Sequence, residues 1–459
     1  MRRRTMAAIV GACAACLALG GYVVADVQDR VLGLLTTSPQ LQAAGPPQMT
    51  PQSGLALPTI TAVEGTPVEP RSVQNLWASV ESAAQDGEWK SWGMVIDAST
   101  GEVLLDAQGT SVHTPASITK VVTAFTALSQ LNGSDTLTTG TKLSGTTVYL
   151  WSEGDLLLSA GTGDKEQVSG HAGLADLAAD TAAQLRERQI GSVTINWPTN
   201  PFAGDAHLPA WTEQGTARFE GQVSAMAIDA GRTSPGAYSF SSTPAADAAQ
   251  AFAQALAEQG IEVTMGSQTD APEDAEPLAS VESATVAQQV RWMLHESDNT
   301  LADQYCRLAA DAARVETSYA GAVSTVRATL ESAGIPTDGM SLGDCSGLSE
   351  DDRLSPETLV QTIRVSMTDH NNDADELIRS LPWAGLQGSM ASRLDEGAGA
   401  ANVQAKTGSL SMVASLSGVV STSSGRLLIF AIGNEDVPDD AAALTRPHLD
   451  NFVEGLANL

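Results

Sequence analysis

A serine and a lysine three residues apart stand at the beginning of an apolar helix, and this pair constrains the chain more than any other feature. In PASITKVVTAFTAL, Ser117 and Lys120 precede apolar residues that recur at helical spacing until Asn132 and Gly133. Residues three apart in a helix share a face, so the two side chains come within hydrogen-bonding reach. A desolvated lysine has a lowered pKa and can accept the proton of a serine. The pair predicts a nucleophile and its general base.

Two further motifs give this pair its significance, because Ser-x-x-Lys alone is common on solvated helix faces. The tripeptide Ser-Asp-Asn at 297–299 lies in HESDNTLADQYC, at a break between two helical patterns. The tripeptide Lys-Thr-Gly at 406–408 opens an apolar strand in AKTGSLSMVASL. These three elements, in this order, are the set found in penicillin-recognising serine enzymes.

The motifs resemble those of the class C low-molecular-mass penicillin-binding proteins, the D-alanyl-D-alanine carboxypeptidase/endopeptidase family (penicillin-binding protein 4-like) that acts on bacterial peptidoglycan. Ser117 and Ser297 are 180 positions apart, a wider gap than in class A β-lactamases. Further stretches resemble the family: VYLWSEGDLLLS, VSAMAIDAG, GDCSGLSEDDRLSP and LPWAGLQGSMASRL. The chain departs from the family at Glu153 and Cys345, where glycine is common, and at Ser409, where threonine is commoner.

The resemblance implies an α/β (α+β) transpeptidase/β-lactamase-like domain with an αβ lobe inserted between the first and second catalytic motifs. We expect the catalytic domain at 73–140 and 286–459, and the lobe at 141–285. Within the lobe the sequence repeats a helix, a glycine and a strand, in LADLAADTAAQLRERQIGSVTI and PAADAAQAFAQALAEQGIEVTM. The lobe is shorter than in the larger family members, so we expect a reduced or missing third domain.

The resemblance also implies roles for the first two motifs. Ser117 attacks the carbonyl of the penultimate D-alanine and forms an acyl-enzyme, while Lys120 accepts its proton. Ser297 relays a proton to the leaving amine, and Asn299 hydrogen-bonds the substrate amide and Lys120. β-Lactam antibiotics are expected to acylate the same serine as inhibitors.

The third motif is expected to bind the end of the substrate. Lys406, Thr407, Gly408 and Ser409 form this substrate-binding strand, and a cation beside hydroxyl groups makes charge-assisted hydrogen bonds to a terminal carboxylate. The backbone N–H groups of Ser117 and Ser409 are expected to form the oxyanion hole.

Two other functions remain open at this point. A serine β-lactamase or esterase of the same superfamily differs in how quickly water hydrolyses its acyl-enzyme. A catalytically inactive cell-wall-binding scaffold is disfavoured because the residues that chemistry requires are all present. We therefore predict an exported serine-type hydrolase whose partners are peptidoglycan stem peptides.

The N-terminal sequence predicts export. Three arginines precede an apolar run from Met6 to Ala25, so residues 1–25 are a signal peptide or a membrane anchor. Residues 26–72 are rich in proline and predict a semi-extended linker. The protein is expected at the outer face of the cytoplasmic membrane, in the cell wall or in the periplasm of a bacterium.

Charge and cysteine content restrict the partners and cofactors. The formal net charge is −30, which repels nucleic acid. Cys13 and Cys16 lie in the N-terminal segment, which leaves Cys306 and Cys345. Neither has the neighbouring ligands of a zinc site, so they either pair as a disulfide after export or stay as two separate buried thiols. We expect no metal and no organic cofactor.

Overall fold

The computed structural model describes residues 65–368, 373–438 and 441–459. The predicted signal peptide or anchor at 1–25 and most of the predicted linker lie outside these ranges. Within them, no helix is long and apolar enough to cross a membrane. The first described helix begins at Pro70, so the linker boundary predicted at residue 72 falls inside this helix. The proline-rich composition predicts an irregular segment up to residue 72, but proline is well accommodated in the first turn of a helix.

Eleven α-helices and ten strands occur in the described ranges. The helices are α1 (Pro70–Gly87), α2 (Lys120–Gln130), α3 (Leu174–Glu187), α4 (Pro209–Glu213), α5 (Pro244–Glu258), α6 (Val286–Glu296), α7 (Asn299–Ala312), α8 (Tyr319–Ser332), α9 (Pro356–Thr368), α10 (Glu376–Ser380) and α11 (Ala442–Ala457). The strands are β1 (Lys90–Asp97), β2 (Val103–Ala107), β3 (Thr136–Ser144), β4 (Thr147–Ser152), β5 (Ser192–Trp197), β6 (Glu262–Gln268), β7 (Glu276–Thr285), β8 (Val403–Leu410), β9 (Val413–Ser421) and β10 (Leu427–Glu435).

The first sheet is antiparallel, with strand order β2-β1-β10-β9-β8. Helices cover both of its faces. Successive side chains of a strand point to opposite faces, so neighbouring residues of β10 enter different cores. In β10, Leu428 and Phe430 enter the core formed with α1 and α11. Ile429 and Ala431 enter the larger core formed with α2 and α6 to α10. The sheet is therefore the middle layer between two groups of helices, with β8 at its edge.

The second sheet belongs to the inserted lobe and has the order β6-β5-β4-β3-β7. Strands β4, β5 and β6 are parallel, whereas β3 is antiparallel to β4 and β7. Helices α3 and α5 bury Leu177 and Phe252 against this sheet in a core of its own. The two helix-glycine-strand units expected from the sequence are α3–β5 and α5–β6.

The lobe leaves and rejoins the catalytic domain along paired strands. Strand β3 pairs with β7 from Thr136 opposite Thr285 onward, and α6 follows directly at Val286. The lobe sheet thus begins at residue 136, five residues before the position that the sequence assigns to the lobe. The threonine-rich sequence of β3 has little apolar alternation to mark its start.

Candidate active site

Ser117 lies in a 3₁₀ turn, Ala116–Thr119, that runs directly into α2. Ala116 has a φ of +52°, a left-handed conformation that costs an alanine on the order of 1–2 kcal/mol. Ser415 Oγ donates to Pro115 O over 2.7 Å, and Gly347 packs so closely that a Cβ there would lie 1.9 Å from Ala116 O. Neighbouring backbone therefore holds the nucleophile's turn in place.

Lys120 is completely buried and surrounded by acceptors. Its Nζ lies 3.1 Å from Ser117 Oγ, 2.7 Å from Asn299 Oδ1 and 2.6 Å from Ser346 O. Asn299 is in turn fixed by donating from Nδ2 to Phe219 O over 2.9 Å. The first two motifs thus meet at the lysine amine.

The electrostatic surroundings of Lys120 lower its pKa to about 8. Burial is the largest cause, since desolvation disfavours the ammonium form. The carboxyl groups of Asp344, Glu220, Asp303 and Asp298 act in the opposite direction. Desolvation prevails over these charges, so the amine can lose its proton near neutral pH.

The second motif forms the junction between α6 and α7. Ser297 ends α6 with a left-handed φ of +55°, and Asp298 caps α7 by accepting from Leu301 N over 2.9 Å. The other oxygen of Asp298 pairs with Arg232 Nη2 of the inserted lobe at 2.5 Å. The sharp reversal between two capped helices directs Ser297 and Asn299 into the same cavity.

Lys406 joins the third motif to the second. Its Nζ donates to Ser297 Oγ and to Thr407 O, each over 2.8 Å, and its side chain is completely buried. Burial lowers its pKa well below the ordinary value, and the positive charges of Lys120 and Arg393 lower it further. The site therefore places two buried lysine amines beside two serine hydroxyls.

Gly408 allows β8 to approach the nucleophile's turn. A Cβ at this position would lie 2.1 Å from Ser415 Oγ, 2.9 Å from Pro115 O and 3.2 Å from Ile118 N. Distances under 3.0 Å are closer than van der Waals contact permits, so only glycine fits without a shift of the backbone. The close approach puts β8 and the residues after Gly408 directly beside Ser117.

The predicted carboxylate-binding residues have neighbours that the sequence analysis missed. Arg446, from α11, donates to Ser409 Oγ over 2.9 Å and lines the cavity. Thr407 Oγ1 donates to Ser389 Oγ over 2.9 Å. Ser389 lies in LPWAGLQGSMASRL, a stretch that resembles the family, whereas Arg446 lies outside every motif. No pattern in the sequence predicts that this arginine of α11 lies beside Ser409.

The first two motifs and the residue directly after the third line one cavity of about 680 Å³. Ser117, Ser297 and Ser409 line it, and the inserted lobe contributes Phe219 and Tyr238. Tyr238 is 76% exposed, and its ring lies edge-on to Phe219 with centroids 6.0 Å apart. The lobe is therefore part of the wall of the site.

Cys306 and Cys345 form a disulfide in the structure, with Cα atoms 6.3 Å apart. Cys306 lies on α7, two turns after Asn299, and Cys345 directly precedes Ser346. The bond joins two segments whose polar atoms hold Lys120. In the described part of the chain, no group of three or more His, Cys, Asp or Glu side chains is arranged to bind a metal ion.

Known proteins share this sequence pattern and this architecture. A model of the D-Ala-D-Ala carboxypeptidase 3 (S13) family matches residues 76–242 and 236–455. Carboxypeptidase DacB of Mycolicibacterium smegmatis is 34% identical over 367 residues, 77% of this chain and 78% of that protein. A carboxypeptidase of Mycobacterium tuberculosis is 32% identical over 419 residues, 88% of each chain.

A solved structure confirms the predicted fold class. Penicillin binding protein 4 of Haemophilus influenzae superposes with a TM-score of 0.67 at 19% identity, covering 84% of this chain and 98% of that one. The family model and the mycobacterial relatives confirm the resemblance that the motifs indicate. The chain belongs to the D-Ala-D-Ala carboxypeptidase 3 (S13) family and is a serine-type D-Ala-D-Ala carboxypeptidase.

Proposed function

We propose that this enzyme removes the terminal D-alanine of peptidoglycan stem peptides, cleaves D,D-cross-bridges between them, or does both, through an acyl-enzyme on Ser117. Lys120 is the general base, and β-lactams acylate the same serine. The enzyme works after export, at the outer face of the membrane, in the cell wall or in the periplasm. The observation that carries the proposal is the set of three hydrogen bonds around Lys120 Nζ.

These hydrogen bonds suit both protonation states of Lys120. An ammonium group has three N–H donors, which match Ser117 Oγ, Asn299 Oδ1 and Ser346 O. A neutral amine has two N–H donors and one lone pair. Asn299 Oδ1 and Ser346 O can take the two donors, and the lone pair can accept from the Ser117 hydroxyl. The base thus changes its proton count while its nitrogen stays in place.

The second half of the proton transfer involves Ser297. Attack by Ser117 leaves a tetrahedral intermediate, and the departing D-alanine amine needs a proton. Ser297 Oγ accepts from Lys406 Nζ, which leaves its own hydrogen free to be passed to the leaving amine. Ser297 regains a proton from Lys120, so the proton that left Ser117 replaces the one passed to the D-alanine amine, and Lys120 is neutral again.

Substrate recognition follows from the strand edge. The carboxylate of the terminal D-alanine binds beside Lys406, Thr407 and Ser409, where a cation and hydroxyl donors favour an anion. The backbone N–H groups of Ser117 and Ser409 stabilise the oxyanion. The close packing of β8 at Gly408 against the Ser117 turn supports this pairing of donors.

The test is mass spectrometry of a muropeptide mixture that contains monomeric pentapeptides and cross-linked dimers. The mixture is incubated with the enzyme and with its Ser117→Ala variant. We expect serine-dependent loss of one alanine, splitting of dimers, or both, and the products tell which activity dominates. Penicillin hydrolysis without either change would instead indicate a β-lactamase. Absence of every reaction in both samples would indicate a scaffold.

A further inference from the structure

A buried carboxyl pair lies behind Lys120 and has no part in the mechanism described so far. Glu220 is 2% exposed and Asp303 is 1% exposed, and their side chains are within hydrogen-bonding reach of each other. Within the described residues, neither Glu220 Oε1 nor Asp303 Oδ2 receives a hydrogen from a donor group. Two carboxylate oxygens cannot satisfy each other unless one carries a proton.

A metal ion does not explain these oxygens. Among the described side chains, no cluster of three or more potential ligands has the arrangement for one. A single shared proton satisfies both atoms and removes one of two buried negative charges, as in other close carboxyl pairs. The proton is therefore part of the structure of this region.

The surroundings of the two groups assign the proton to Glu220. Asp303 Oδ1 accepts from Cys345 N over 2.8 Å, and the guanidinium of Arg307 stabilises its negative charge. Glu220 Oε2 has the hydroxyl of Ser346 at 3.5 Å, and that hydroxyl is closer to another acceptor, at 3.0 Å. Burial raises the pKa of Glu220 well above its ordinary value and that of Asp303 to about 7. Asp303 therefore carries the negative charge, and Glu220 carries the proton.

The pair connects the three segments that hold the catalytic lysine. Glu220 directly follows Phe219, whose carbonyl accepts from Asn299 Nδ2. Asp303 lies one turn after Asn299 on α7 and binds the backbone of Cys345. The next residue, Ser346, supplies the carbonyl that accepts from Lys120 Nζ.

We propose that Glu220 is a positioning residue that donates its proton to Asp303 and thereby fastens the inserted lobe to α7 and to the Cys345–Ser346 segment. The shared proton holds Asn299 and Ser346 in place as the two fixed acceptors of Lys120. This inference rests on the proposed role of Lys120 as the general base.

The shared proton also limits the negative charge around Lys120. Ionisation of Glu220 would add an anion behind the amine and favour the ammonium form, which cannot act as a base. Five charged or titratable groups face Lys120 from the packed elements: Asp298, Asp303, Asp344, Glu220 and Lys406. A glutamine at 220 keeps the hydrogen bond to Asp303 and cannot ionise, so the Glu220→Gln variant separates the two properties.

The first test measures thermal unfolding of the full chain and of its Glu220→Gln variant between pH 5 and pH 8.5. A carboxyl group that stays protonated when folded loses stability as the pH rises above its unfolded pKa, because the unfolded chain releases the proton. Glutamine has no such loss. We expect the variant to gain unfolding temperature relative to the parent as the pH rises. A difference that stays the same at every pH would overturn the shared proton.

The second test measures the rate at which a fluorescent penicillin acylates Ser117, as a function of pH. We expect Glu220→Gln to stay within about threefold of the parent and Glu220→Ala to fall by about tenfold or more, as for loss of a buried hydrogen bond. Glu213→Gln, on an exposed position of α4, is the matched control and should leave the rate unchanged.

The two tests fail separately. If the parent is not acylated at Ser117, the proposed function fails, while the unfolding experiment still decides whether Glu220 holds a proton. If glutamine lowers the rate as much as alanine does, the positioning role is wrong even when the unfolding result is as expected. Should the alanine variant not fold, the glutamine variant and its pH profile remain decisive.

Discussion

Lys406 Nζ lies 2.8 Å from Ser297 Oγ, so two residues more than a hundred positions apart in sequence share one hydrogen bond across the cavity. Lys406 and Lys120 are both buried, and burial together with the positive charge of Lys120 lowers the pKa of Lys406. Burial lowers the pKa of Lys120 to about 8, so the neutral amine, which is the form that can accept a proton from Ser117, is accessible near neutral pH.

Replacement of Lys120 by arginine is expected to abolish acylation without removing the positive charge. Arginine stays protonated at every accessible pH and cannot accept the hydroxyl proton. Loss of a general base typically lowers the rate by about 10²–10⁴-fold. Acylation by a fluorescent penicillin and circular dichroism of the same sample measure the rate and the fold. A folded variant with more than a tenth of the parent rate would contradict the assignment.

The rate of acylation is expected to rise with pH through about 8. Lys120 has a lowered pKa of about 8, and only its deprotonated form is active, so activity increases as the pH rises through that value and is lost below it. The measurement is kcat/KM for a D-Ala-D-Ala peptide from pH 5 to pH 9, which reports the free enzyme. An acid limb near pH 4, typical of a carboxylate base, would rule out this lysine.

A Gly408→Ala change is expected to lower acylation strongly because the new Cβ would meet Ser415 Oγ at 2.1 Å and Pro115 O at 2.9 Å. Relief of the overlap requires β8 to move away from the Ser117 turn, and misplacement of one oxyanion donor costs about 10²-fold or more. Gly191→Ala, at an exposed position of the inserted lobe where a Cβ meets nothing within 4 Å, serves as the comparison. Equal rates for the Gly408 variant and the parent would show that this close approach has no role.

The paired change Cys306→Ser and Cys345→Ser is expected to destabilise the enzyme by about 4 kcal/mol, the chain-entropy value for a closed loop of 39 residues. Denaturant unfolding measures the free energy of unfolding, and non-reducing peptide mapping of the parent identifies the bond directly. Reduction should bring the parent close to the double variant. Two free thiols at these positions in the folded parent would refute the expectation.

The three motifs could be recognised in the sequence, because Ser117, Ser297 and Lys406 belong to tripeptide or tetrapeptide patterns that occur together in a fixed order. Phe219 and Ser346 could not, because they contribute main-chain carbonyls that any residue type supplies. Glu220 and Asp303 looked like two of many acids in a very acidic chain. The proposed role of these two carboxyl groups depends on their burial, and they become buried when the lobe packs on α7.

The domain boundaries show the same distinction. The sequence predicts that the catalytic domain resumes at residue 286, and in the structure β7 ends at Thr285 and α6 begins at Val286. The start of β3 at Thr136 was missed because its polar, threonine-rich sequence is stabilised by pairing with strands on both sides. The partner β7 is distant in sequence, so its pairing with β3 leaves no local pattern.

The paired strands β3 and β7 also bear on how the chain folds. Ser117 and Ser297 must meet across 180 residues, and closing so long a loop is slow and entropically costly. Once Thr136 lies opposite Thr285, the path between the two serines shortens to roughly 30 residues, which lowers the closure cost by about 1.5 kcal/mol. A lobe that folds early therefore lowers the entropic cost of bringing the two halves of the catalytic domain together.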